Sequence, residues 1–141
     1  MRQILPHSLW LGHAGDARDV RLVLETGIQA VVQLAAEEPA LQLPRELILC
    51  RFPLLDGPDN DPKLLYLATT SVANLLEKRI PTLVCCGAGM SRSPAIAAIA
   101  LAMVYQETPE TCLKQIAEHH PADVDPGLWN ESKSLLESDR F

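Results

Sequence analysis

From Ala95 to Val104 the chain runs ten residues without a polar side chain. The Ala, Ile, Leu, Met and Val of this run are helix-compatible and leave no face for water, so the segment predicts a helix buried around its whole circumference. It is far shorter than the roughly 20 residues that cross a bilayer. A central helix of a water-soluble core is therefore expected, with no membrane partner. Such a helix requires cover on every side, and the rest of the chain must supply it.

Just before the run, Thr82 to Cys85 is short, apolar and β-prone, and reads as a buried strand. A Gly-rich turn from Gly87 to Gly89 follows, and the central helix is expected to begin near Ser93-Pro94 and end near Tyr105. Gln3 to Leu5 and Leu9 to Gly12 read as short strands around Pro6. Asp16 is expected to cap a helix to about Thr26, stopped by Gly27. Ile28 to Leu34 and Glu46 to Phe52 read as strands. Asp61-Pro62 opens a predicted helix to about Arg79, and Pro109 to His119 and Leu128 to Ser138 read as two more.

Strands that alternate with helices predict an α/β fold, with a central, mostly parallel twisted sheet flanked by helices. A chain of 141 residues, 48% apolar and 21% charged, has globular composition and the length of one domain, taken as residues 1–141. Twelve basic against 18 acidic residues give a formal charge of -6, which disfavours nucleic acid as a partner. The N-terminus shows no apolar signal region, so a cytoplasmic location is expected and the four cysteines are expected to be reduced. No CxxC pair or His/Cys cluster with zinc spacing is present, and neither a metal nor another cofactor is expected.

The chemistry concentrates in Cys86-Gly87-Ala88-Gly89-Met90-Ser91-Arg92, set between the strand and the helix. Unhindered residues at 87–91 let successive backbone N–H groups turn inward as an anion-binding nest, and the helix start adds its partial positive charge. That field also favours a thiolate, which makes Cys86 the candidate nucleophile. Arg92 offers a planar, permanently charged fork for two phosphate oxygens. Gly87, Ala88, Gly89, Met90, Ser91 and Arg92 are the candidate phosphate-binding residues.

A cysteine, five residues and an arginine in this setting resemble the signature of the dual-specificity branch of the cysteine-based protein tyrosine phosphatases. Leu9-Trp10-Leu11-Gly12 and Gly27-Ile28-Gln29-Ala30-Val31-Val32-Gln33-Leu34 look like further landmarks of that family, so the resemblance spans most of the chain. It implies a metal-free phosphatase that works through a phosphocysteine intermediate on phosphoprotein substrates, phosphotyrosine and also phosphoserine or phosphothreonine. It also implies a general-acid aspartate on a loop before the cysteine. Asp56, directly after Phe52-Pro53-Leu54-Leu55, matches that place, while Asp59 and Asp61 stand as alternatives that also read as a turn residue and a helix cap. The family carries a hydroxyl at the position of Ser93 to help the thiolate leave. Ser93 equally reads as a helix cap before Pro94.

Cys85 stands where the family usually has histidine, and a thiol cannot reproduce that residue's hydrogen bonding. This departure keeps a second reading open, a phosphate-binding pseudophosphatase that recognises phosphoproteins without turnover. A rhodanese-like sulfurtransferase is a third, disfavoured by the Ser91-Arg92-Ser93 ending. His119-His120 reads as a helix C-terminal dipole partner, Trp10, Trp129 and Cys112 as packing residues, and Cys50 as a thiol able to approach Cys86.

Overall fold

The computed structural model describes residues 1–137. Five strands, β1 (Arg2–Gln3), β2 (Leu9–His13), β3 (Ala30–Ala35), β4 (Ile48–Leu54) and β5 (Thr82–Cys86), form one sheet in the order β1-β2-β5-β3-β4. Only the β1–β2 pair is antiparallel, so the sheet is mostly parallel, as expected. Strand β5 lies in the middle, flanked by β2 and β3. Its C-terminal end is where the chain leaves the sheet toward the next helix, the position at which parallel sheets open a crevice for ligands.

Helices cover both faces. Side chains alternate along each strand, so Leu9, Leu11, Ala30, Val32, Leu34, Val84 and Cys86 join the larger core. This core is completed by α3 (Pro62–Glu77), α4 (Arg92–Tyr105), α5 (Pro109–Ala117) and α6 (Pro126–Ser134). Val31, Leu83 and Cys85 face the other way, against Ala17 of α1 (Ala14–Arg18) and Val23 of α2 (Val20–Thr26). Helix α4 is buried from Arg92 to Ala102, enclosed by the sheet and by α3, α5 and α6. The apolar run thus has all-round cover from Ala95 to Ala102, with Met103 and Val104 half-buried at its end.

Several boundaries differ from expectation for local reasons. The helix expected from Asp16 to Thr26 is two helices: His13 caps α1, its ring accepting from Asp16 N–H while the Asp16 carboxylate takes the His13 N–H. Asp19 (φ −83°, ψ 83°) breaks the run and caps α2 by accepting from Leu22 N–H. Strand β4 continues through Pro53, which an edge strand tolerates because no neighbour needs its missing donor. Helix α3 ends at Glu77 rather than Arg79, and Arg79 adopts a left-handed φ of 54°. Helix α6 begins at Pro126 behind an Asp125 cap and ends at Ser134, and Ser138, the expected end, lies outside the described residues.

Asp61 caps α3 as expected, its carboxylate accepting from Lys63 N–H at 2.9 Å. Loss of such a cap costs about 1 kcal/mol. Asp61→Ala is expected to lower the unfolding free energy by that amount in urea titration. An unchanged midpoint would remove the cap from the account of how α3 starts.

Candidate active site

Between β5 and α4 the chain folds into a loop whose carbonyls are held from outside. Gly87 O accepts from Ala14 N–H at 3.1 Å, Met90 O accepts from Asp123 N–H at 2.7 Å, and Gly89 O is bonded by His120 Nε2 at 2.7 Å. In a trans peptide the C=O and the next N–H point in opposite directions. Holding these three carbonyls outward therefore aims the N–H groups of Ala88, Met90 and Ser91 to the inside of the loop. Gly89 permits the turn with φ 79°, and a Cβ there would lie 2.7 Å from Gly12 O, a backbone atom with little room to move. The result is a nest-shaped loop at the end of β5, next to Cys86 and ahead of the α4 N-terminus, with a geometry that suits an anion.

Arg92, the first residue of α4, is buried and returns over this loop. Its Nη1 donates to Glu37 Oε1 at 2.6 Å and to Leu54 O at 2.9 Å, and its Nη2 donates to Glu37 Oε2 at 2.5 Å. A guanidinium carries five N–H donors. These bonds use both hydrogens of Nη1 and one of Nη2, and Nε has no partner among the described residues. What remains is the side edge of the fork, Nε–H beside the second Nη2–H, which suits two oxygens of a tetrahedral anion. Glu37 thus occupies one edge of Arg92, and the Nε of the other is buried without a partner among the described residues.

Asp56 lies on a loop closed by Asn60, whose side chain accepts from Leu55 N–H at 2.8 Å and donates to Leu55 O and Gly57 O. Its Oδ1 accepts a 2.6 Å hydrogen bond from Ser91 Oγ, and Ser91 Oγ in turn accepts from Asp125 N–H at 3.0 Å. A carboxylate from the loop after β4 is thereby fixed to the rim of the nest. Asp59 has its backbone N–H on the Glu131 carboxylate and Asp61 caps α3. Of the three aspartates, Asp56 is the one bonded to the Cys86–Arg92 loop.

Ser93 does not cap α4. The helix starts one residue earlier, with Ser91 in the cap position but its hydroxyl committed to Asp56. Ser93 Oγ is fully buried and has no partner among the described residues. Cys85 points to the opposite face of the sheet from Cys86, and burial, reinforced by negative neighbours, pushes its thiol up to about 12. Cys50 cannot approach Cys86. It is level with Val32 and hence with Val84 two strands away, a separation of about 10 Å that exceeds disulfide reach. Trp10, Trp129 and Cys112 pack against the two cores as expected.

Three contributors to the site had no clear sign in the sequence. Glu37 follows β3 and meets Arg92, 55 positions away. Asp125 reads as a helix cap and also holds Ser91. His120 lies beyond the end of α5, where its backbone N–H donates to Ile116 O while its ring bonds Gly89 O. The doubled histidine was the available signal for the last of these.

The Arg92 guanidinium holds the Glu37 carboxyl at about 2, below its ordinary 4.5. A folded-state value below the unfolded one stabilises fully above about pH 4.5 and less as pH falls toward 2. The Glu37 side chain is 58% exposed against 6% for Arg92, so screening limits the effect to about 1 kcal/mol or less. Wild type is expected to lose stability more steeply than Glu37→Gln across this window in denaturant titrations at stepped pH. Parallel curves would show that the pair contributes nothing to folding.

No family model and no curated protein matches the sequence. Solved structures do match. Human DUSP28 superposes with a TM-score of 0.84 at 22% identity, covering 97% of this chain and 98% of its own. A mouse putative dual specificity phosphatase, solved with zinc tungstate, gives 0.82 at 22% identity over 94% of this chain and 84% of its own. The human tyrosine phosphatase-like serine/threonine/tyrosine-interacting protein gives 0.80 at 17% identity over 97% of this chain and 95% of its own. The chain therefore has the fold of the dual-specificity branch of the cysteine-based protein tyrosine phosphatases.

Proposed function

We propose that the protein is a phosphatase that hydrolyses phosphate monoesters, with phosphotyrosine and also phosphoserine or phosphothreonine in proteins as substrates. The observation that carries this reading is the convergence of inward amides and the buried, unpartnered edge of Arg92 on one loop beside Cys86. Donors fixed in advance at an anion's oxygens lower the barrier because they need not reorganise during transfer.

In this mechanism the Cys86 thiolate attacks phosphorus, forming the S–P bond as the ester P–O bond breaks. The Ala88, Met90 and Ser91 amides and Arg92 hold the non-transferred oxygens. Asp56 gives its proton to the departing ester oxygen, help worth about 10²–10⁴-fold. Water then attacks the phosphocysteine, passing its proton to Asp56, while the S–P bond breaks and the Ser93 hydroxyl hydrogen-bonds the departing thiolate. The unpartnered, buried Ser93 Oγ suits that last role. The Ser91–Asp56 hydrogen bond, which tethers the exposed Asp56 carboxylate to the loop, supports its assignment as the acid.

A second reading, phosphate recognition without turnover, is favoured by Cys85 in the place of the family's histidine. Similarity to a human protein described as tyrosine phosphatase-like and interacting supports it further. Turnover separates the two.

Hydrolysis of p-nitrophenyl phosphate is expected to persist in EDTA and to be blocked by vanadate. Cys86→Ser abolishes it while Cys85→Ser retains it, and the opposite pattern would move the nucleophile. Asp56→Asn is expected to slow phosphotyrosine peptide hydrolysis by about 10²-fold or more while sparing aryl phosphates with good leaving groups. Equal losses on both substrates would assign Asp56 a structural role.

A further inference from the structure

Of the three outward carbonyls in the Cys86–Arg92 loop, two are held by backbone N–H groups and one by a side chain. Gly87 O is held by Ala14 and Met90 O by Asp123, and no substitution short of proline removes either donor. Gly89 O depends on the imidazole of His120 at 2.7 Å. Gly89 is buried and sits in a left-handed turn, and its carbonyl is the one in the loop that takes its hydrogen bond from a side chain. The N–H on the far end of that plane belongs to Met90, one of the inward amides.

We propose that His120 is a positioning residue that holds the Gly89–Met90 peptide in the orientation that binds phosphate. It thereby supplies from the loop after α5 the backbone support that Cys85 cannot give. The proposal rests on the phosphatase reading of the loop. A carbonyl oxygen only accepts, so His120 Nε2 must carry hydrogen. Nδ1 is buried without a partner among the described residues, and burial lowers the pKa of the ring. Both features fit a neutral imidazole protonated at Nε2. Cys85, by contrast, faces α1 and α2 on the far side of the sheet from the core that Cys86 joins. Glutamine at position 120 can place an amide N–H near the Nε2 position, whereas leucine keeps bulk and removes the donor.

The test is a titration of the full chain with inorganic phosphate, read at the ¹⁵N-labelled loop amides, with thermal stability measured in parallel. In wild type the Ala88, Met90 and Ser91 amides are expected to shift together. In His120→Leu phosphate affinity is expected to fall at least about tenfold. The Met90 response should shrink most and that of Ala88, still held by Ala14, least. His120→Gln is expected to recover most of the affinity even where its melting temperature matches that of the leucine variant. That recovery distinguishes positioning from bulk support. Should His120→Leu fail to fold, the wild-type ring decides: long-range ¹H–¹⁵N spectra are expected to show Nε2 protonated and Nδ1 bare. Equal phosphate affinity in wild type and His120→Leu, or a ring protonated at Nδ1 alone, overturns the proposal and leaves the phosphatase reading standing. No loop response to phosphate in wild type rejects the phosphatase reading and the proposal with it.

Discussion

A buried guanidinium must have its donors met, and Arg92 meets them across three parts of the chain. One edge of its fork is closed by Glu37 beyond β3, and its outer Nη1 hydrogen by Leu54 O at the end of β4. The residue itself begins α4, directly after the loop that follows β5. A single side chain therefore ties the C-terminal ends of neighbouring strands to the start of the central helix. An uncompensated charge in that place would cost several kcal/mol. The pairing leaves Nε–H, beside the second Nη2–H, buried and without a partner among the described residues.

Around that charge, the loop owes its shape to donors outside it. Five residues with small or flexible side chains do not by themselves choose between amides turned in and amides turned out. Ala14 at the start of α1, His120 after α5 and Asp123 before α6 make the choice by taking the carbonyls. Ser91 joins the loop to Asp56 on one side and to the Asp125 cap of α6 on the other. The candidate acid is thus tied to the loop by a hydrogen bond rather than merely neighbouring it.

Much of this was legible before any coordinates. The all-apolar stretch 95–104 demanded a central helix, and the apolar strand before it with a Gly-rich turn between them marked the loop at the end of β5. Asp56 was singled out by the resemblance, which puts an acid directly after Phe52-Pro53-Leu54-Leu55. Long-range partners were not legible, since nothing local in Glu37-Glu38 announces an arginine 55 positions on. His120 was misread because a histidine near a helix end has a ready local explanation, and the cap reading of Ser93 failed because α4 starts one residue earlier, behind Ser91. The helix break at Asp19 was hidden by continuous helical composition, and only the cap bonds of His13 and Asp19 reveal it. Local grammar located the loop, and tertiary contacts set its orientation.

The central claim is that this loop carries a phosphoryl group on Cys86 sulfur. Rapid acid quench of wild-type protein during turnover of ³²P-labelled phosphotyrosine peptide, followed by proteolysis, tests it directly. The account predicts label on the peptide containing Cys86, lost in Cys86→Ser. Turnover with no label on that peptide, or with label on another residue, would contradict it.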